Sequence, residues 1–220
     1  MVISICNEKG GSGKTNIAIN LAVKFSLMKE DTLLLDTDPQ RSTEIFVKIR
    51  TQNEKEMLFS TMSRYGSGLD KEIRRLESKY DVLVVDTGGR DSQEMRQAML
   101  VSDIIIIPAV PSDLDIAVLN KMINLFEMTK TYNPNAIALI VISKASPNPF
   151  LQNKVKDLKE YILEKQLEDI YLLDAILYER EAYRNSITAG QGVVEYCKET
   201  DNAYRDFDNF VKEIITYINK

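Results

Sequence analysis

Short, nearly unbroken apolar runs alternate along this chain with longer stretches whose apolar positions recur every three or four residues. The runs at 2–6, 32–35, 82–85, 104–107 and 137–142 are rich in Val, Ile and Leu. Continuous hydrophobicity of this kind suits a strand covered on both faces, where a half-exposed strand would alternate. The stretches 16–28, 69–78, 115–129 and 151–165 carry helical spacing. Strand–helix–strand repetition predicts an α/β fold, a doubly wound, mostly parallel sheet with helices on both faces. Region 52–68 has the weakest pattern and is expected to hold a short strand near 57–60. No repeat, low-complexity segment or linker interrupts the order, so residues 1–220 are expected to form a single domain.

Composition narrows the chemistry. The 220 residues are 44% hydrophobic and 28% charged, with two cysteines and no histidine. That length can bury a sizeable core without disulfides. Without histidine, Ser-His-Asp and Cys-His catalysis and His-ligated metals are excluded, leaving carboxylates, lysines, backbone N–H groups or a bound ion. Two unlinked cysteines fit a reducing compartment, with Cys6 read as a small buried hydrophobe. No signal peptide and no run of eighteen apolar residues is present, so the expectation is cytoplasmic. A net charge of −5 argues against a uniformly basic nucleic-acid coat, though not against a local basic patch. The nine glycines fall in four tight groups, at 10, 11 and 13; 66 and 68; 88 and 89; 190 and 192. Such grouping predicts tight turns or close backbone approach.

The first of these groups carries the chemistry. The first strand runs directly into Asn7-Glu8-Lys9-Gly10-Gly11-Ser12-Gly13-Lys14-Thr15 and then into a helix. Glycines there let backbone N–H groups converge on phosphate oxygens, and the helix N-terminus adds its positive dipole. Lys14 is placed to bridge β- and γ-phosphates and the Thr15 hydroxyl to hold Mg²⁺, as in P-loop nucleotide hydrolases. The generic G-x-x-x-x-G-K-[ST] pattern fails strictly, because Glu8 stands at its first glycine and a second lysine, Lys9, lies inside the loop. Two strands end in acids: Leu33-Leu34-Leu35-Asp36-Thr37-Asp38-Pro39-Gln40, and Val82-Leu83-Val84-Val85-Asp86-Thr87-Gly88-Gly89. One such aspartate is often only a turn-former. Ligands of open parallel sheets bind beyond the carboxyl ends of the strands, which brings Asp36, Asp38, Asp86 and the loop together.

These motifs resemble the ParA family of DNA-partition ATPases, within the MinD/ParA group whose phosphate loop is a deviant Walker A sequence. Residues 9–15 match the deviant loop, 36–40 the DxDPQ motif and 82–89 the Walker B strand. Residues 104–115 are similar to the family's proline-bearing segment, and Arg180-Glu181-Ala182-Tyr183-Arg184-Asn185-Ser186, running on to Gly190 and Gly192, resembles its C-terminal region. The resemblance implies ATP and Mg²⁺. It gives phosphate contacts to Lys14 and to Gly10, Gly11, Ser12, Gly13, Thr15 and Asn16. Lys9 would reach the ATP of the other subunit in a nucleotide-sandwich homodimer. Asp36 would orient the attacking water, Asp86 would support Mg²⁺ together with Thr15, and Asp38 would shape the site. Gly88 and Gly89 would form a γ-phosphate switch. Asn16 departs from the usual second threonine, and the glycine pair stands where many relatives carry prolines. Positions near Lys144 and the loops after the late strands are left open for adenine.

The resemblance further implies an ATP-bound dimer on nonspecific DNA, nucleoid-associated in that state and released when a centromere-binding, ParB-like partner stimulates slow hydrolysis. The chain begins at its first strand and so resembles the short subclass without an N-terminal helix-turn-helix. Arg180, Arg184 and Lys212 are the candidate DNA contacts. The alternative is a MinD-like membrane positioner, which needs a basic amphipathic C-terminal helix. Ala203, Phe207, Phe210, Val211, Ile214 and Ile218 do form an apolar stripe. The charges opposite it (Arg205, Asp206, Asp208, Lys212, Glu213 and Lys220) cancel, so a core-packing helix without stable membrane association is expected.

Overall fold

In the computed structural model, which describes residues 1–219 apart from the side chains of 113 and 114, strands and helices alternate from the first residues onward. The strands are β1 (Val2–Ile5), β2 (Thr32–Asp36), β3 (Ser60–Ser63), β4 (Val82–Asp86), β5 (Ile104–Ala109), β6 (Ile137–Ala145) and β7 (Ile170–Tyr178). The helices are α1 (Lys14–Leu27), α2 (Ser42–Gln52), α3 (Leu69–Glu77), α4 (Gln93–Met99), α5 (Asp113–Lys130), α6 (Gln152–Glu164), α7 (Glu181–Thr188), α8 (Val193–Tyr196) and α9 (Asn202–Ile218). All seven strands join one parallel sheet in the order β3-β2-β4-β1-β5-β6-β7. The chain winds outward from central β1 on one side and returns to wind outward on the other, which makes β1 the switch point.

Strand alternation divides the core. Ile3, Ile5, Leu34, Val84, Ile106 and Val141 point to one face, where α1, α2, α7, α8 and α9 cover them. Val2, Leu33, Leu35, Leu83 and Val85 meet α3 and α4 on the other face. Cys6, Ile105, Ile107, Ile140 and Ile142 meet α4, α5 and α6 there. Burial pushes the Cys6 thiol up to about 11, which leaves it a core hydrophobe.

The five apolar runs and four helical stretches appear where the pattern predicts them. Three elements differ. The short strand expected near 57–60 lies at Ser60–Ser63, because Phe59 is the buried anchor against Phe46 and the residues after it pair with β2. β7 is not foretold: it carries Asp174 in its middle and slips register against β6. α2 follows the DxDPQ motif with a polar sequence and buries little apart from Phe46 and Arg50. The C-terminal stripe behaves as expected, since Ala203, Phe207, Phe210, Val211 and Ile214 are buried against the sheet. Lys220 lies outside the described residues.

Candidate nucleotide-binding site

Parallel register assembles the site. Asp36 at the tip of β2 lies beside Asp86 at the tip of β4, and Asp86 lies beside Ile5 at the end of β1. The loop leaving β1 therefore passes directly over two carboxylates. Gly11 and Gly13 have φ of 77° and 96°, left-handed values that side chains with a Cβ seldom adopt. Gly13 caps α1, so the free N–H groups of its first turn open onto the loop. Gly89 serves a different purpose: a Cβ there would lie 2.8 Å from the Gly10 Cα. Only glycine lets the segment after β4 rest on the phosphate loop.

The acids differ in environment. The Asp36 carboxylate accepts hydrogen bonds from the Asp38 N–H at 2.9 Å and the Thr43 N–H at 3.1 Å. Burial raises its pKa, and those donors oppose the rise. Asp86 is fully buried, and neither carboxylate oxygen has a partner in hydrogen-bond geometry. Burial pushes its pKa to about 7, with the nearby Thr15 hydroxyl and Lys14 ammonium pulling back only in part. Burial likewise lowers the Lys14 pKa, and Lys14 Nζ donates to the Lys9 carbonyl at 3.1 Å. Asp38 is half-buried beside Gly88, where an added Cβ would meet its carboxylate at 3.5 Å.

The groups present fit a magnesium nucleotide. Glycines line the cradle, and the buried Ser12 hydroxyl has no partner among the described residues. An unpaired carboxylate and a hydroxyl sit where a hard cation takes oxygen ligands. A cavity of about 460 Å³ runs from this cradle across Asp38, Gln40 and Ser42 to Lys144, Tyr178, Tyr183 and Phe207. Asn16 lines it too, its side chain donating to the Tyr183 carbonyl at 3.5 Å.

The remaining expected residues lie as follows. Lys9 pairs with Asp115 at 2.8 Å, and Ser112 donates to the same carboxylate. Arg180 pairs with Asp206 at 2.5 Å, stacks on Tyr178 and is mostly buried. Lys212 pairs with Asp208 at 2.7 Å. Arg184 is 80% exposed, with Glu179 at 3.9 Å as a loose partner. Arg180 and Arg184 both line the cavity. Sequence reasoning missed Asp115, the Lys121–Glu8 ion pair and the wall formed by Tyr178, Tyr183 and Phe207. The aromatic run after the late strands was the available signal for that wall.

Residues 3–193 match the family model described as the CobQ/CobB/MinD/ParA nucleotide binding domain. The chain belongs to this family. Among curated MinD/ParA relatives, the maintenance of carboxysome distribution protein A of Halothiobacillus neapolitanus is 24% identical over 97% of this chain and 95% of its own length. A putative plasmid partition protein of Borrelia burgdorferi B31, solved with AMPPNP, superposes with a TM-score of 0.72 at 20% identity over 98% of both chains. The septum site-determining protein MinD of Pyrococcus horikoshii OT3, solved with Mg-ADP, gives 0.70 at 18% identity, covering 99% of this chain and 96% of that one. The fold is therefore the nucleotide-binding ATPase fold of the ParA/MinD group. That group spans plasmid partition and carboxysome positioning. No helix among the described residues is long and apolar enough to cross a membrane.

Proposed function

We propose that this chain is an ATP-driven DNA-segregation ATPase of the ParA type. In this reading, ATP binding and homodimerisation are one event, the ATP-bound dimer holds nonspecific DNA, and a ParB-like partner stimulates the hydrolysis that releases it. The observation that carries the proposal is the pair of lysines, Lys9 and Lys14, on one loop above the registered carboxylates Asp36 and Asp86. A single phosphate-loop lysine suffices to bind a nucleotide; a second one, held in this chain by Asp115, suits a second nucleotide.

The backbone from Gly10 to Thr15 and the Lys14 ammonium hold the phosphates. Thr15 and the ionised Asp86 would hold Mg²⁺, which would supply neutralising charge to the phosphates. Asp36, fixed by two backbone donors, orients the attacking water. Phosphoryl transfer needs positioning and charge more than covalent help. Lys9 exchanges the Asp115 carboxylate for a phosphate of the partner's nucleotide. Arg184 is the most available cation for DNA, whereas Arg180 and Lys212 already answer acids.

Two observations bear on the alternatives. α9 buries its apolar stripe in the core, which speaks against that helix as a membrane anchor and supports the DNA reading over the MinD-like one. Similarity to a carboxysome-distribution protein across nearly the whole chain supports a second reading, in which the cargo is a carboxysome. Retention on nonspecific DNA, measured with ATP, ADP and no nucleotide, tests the proposal. ATP-dependent retention lost in Lys9→Ala and weakened in Arg184→Ala is expected. Retention independent of ATP, or binding to liposomes in its place, overturns it.

A further inference from the structure

Lys144 stands in a backbone conformation that is unusual for a lysine. It lies near the end of β6 with φ of 52°, in the left-handed region that residues with a Cβ avoid. The β6–β7 register shifts between Ser143 and Ala145, so the ladder is broken around it. Ser143 fastens this strand tip to the phosphate loop, its hydroxyl donating to the Ser12 carbonyl at 3.1 Å. The Lys144 side chain then lies across the start of α1, its Cε 3.9 Å from where a Cβ on Gly13 would stand. It is exposed, lines the cavity and forms no ion pair among the described residues.

Two unfavourable terms meet here. One is left-handed backbone at a lysine. The other is an ammonium group beside the positive end of a helix, where anions are favoured and cations are not. Both are offset if an anion occupies the α1 N-terminus. The buried, unpartnered Ser12 hydroxyl in the same loop points independently to a missing ligand.

We infer that Lys144 is a phosphate-binding residue, its ammonium completing the charge around a nucleoside diphosphate held at the start of α1. The inference rests on the nucleotide reading above and adds to the loop lysines a third cation from the opposite half of the sheet. Calorimetric titration of the full chain with ADP and with pyrophosphate, alongside thermal melts, tests it in Lys144→Met, Lys144→Gly and Lys144→Arg. Lys144→Met should weaken both ligands roughly tenfold, as expected for one lost charge-assisted contact. Lys144→Arg should restore the affinity. Lys144→Gly should bind as weakly as Lys144→Met yet melt a few degrees higher without ligand, because strain and repulsion are both removed. Wild-type affinity in Lys144→Met overturns the inference. Lost affinity together with a lower melting temperature in Lys144→Gly also overturns it, since the residue is then only a structural tether. A wild-type chain that binds neither ADP nor pyrophosphate overturns the nucleotide reading itself.

Discussion

Replacing Asp86 with Asn should change how the ligand-free protein responds to pH, and the buried carboxylate sets the size of the change. Asp86 is fully buried, and burial raises its pKa from 3.8 to about 7. The folded state thus binds this proton more tightly than the unfolded state does. The sign follows: the stability contribution of the group is greatest below about pH 4, falls as pH rises towards 7 and is fully lost above that. Three pKa units correspond to about 4 kcal/mol over the whole window, of which about 2–3 kcal/mol falls between pH 5 and pH 8. Asn cannot ionise. Urea unfolding of wild type and Asp86→Asn at both pH values, without Mg²⁺ or nucleotide, should show the variant gaining about 2–3 kcal/mol relative to wild type on going to pH 8. The comparison cancels the pH-independent cost of burying an amide, and the charge of Asp36 beside Asp86 acts in the same direction as burial. Saturating Mg²⁺ and ADP should shrink the difference, because the cation gives the ionised carboxylate a partner. A gap between the two proteins that stays constant within about 0.5 kcal/mol from pH 5 to pH 8 would refute the reasoning.

Three further outcomes test other parts of the molecule. Gly190 has φ of 67°, and a Cβ there would lie 2.5 Å from the Arg50 Cα, so Gly190→Ala should cost about 2–4 kcal/mol in denaturant unfolding. Arg50 is buried and bonds both Glu195 oxygens at 2.9 Å as well as the Gly190 carbonyl; Arg50→Met should cost about 3–5 kcal/mol, and adding Glu195→Leu should recover much of it. Asp36→Asn should keep ATP binding, measured by calorimetry, while lowering ATP turnover by roughly a hundredfold or more, in line with the loss of a positioning group.

The legibility of the chain follows from where each signal resides. The buried strands were readable because a strand covered on both faces must be apolar along its length, and β5 is throughout, as are 33–35 of β2 and 82–85 of β4 before the aspartate that ends each. The phosphate loop was readable because a left-handed turn needs glycine, and 11 and 13 supply it. The C-terminal helix was readable because its stripe and its cancelling charges both pointed inward. β7 was not, since Asp174 interrupts it, and the reason Asp174 is tolerated lies 39 residues away. There Glu213 on α9 accepts hydrogen bonds from the Asp174 and Ala175 N–H groups at 2.8 and 2.9 Å, closing an edge that would otherwise be open. The glycines at 190 and 192 read as part of a family-specific region, yet geometrically they are packing devices: each brings the α7–α8 turn against a neighbour, Arg50 on α2 and Val23 on α1. Lys9 has the same lesson in reverse. Its place in the loop is written in the motif, but its partner in the single chain, Asp115, lies 106 residues away. Local chemistry was therefore legible wherever backbone conformation alone demanded it. Where a side chain waits for a partner from another element, the pairing appears only once the sheet order is known.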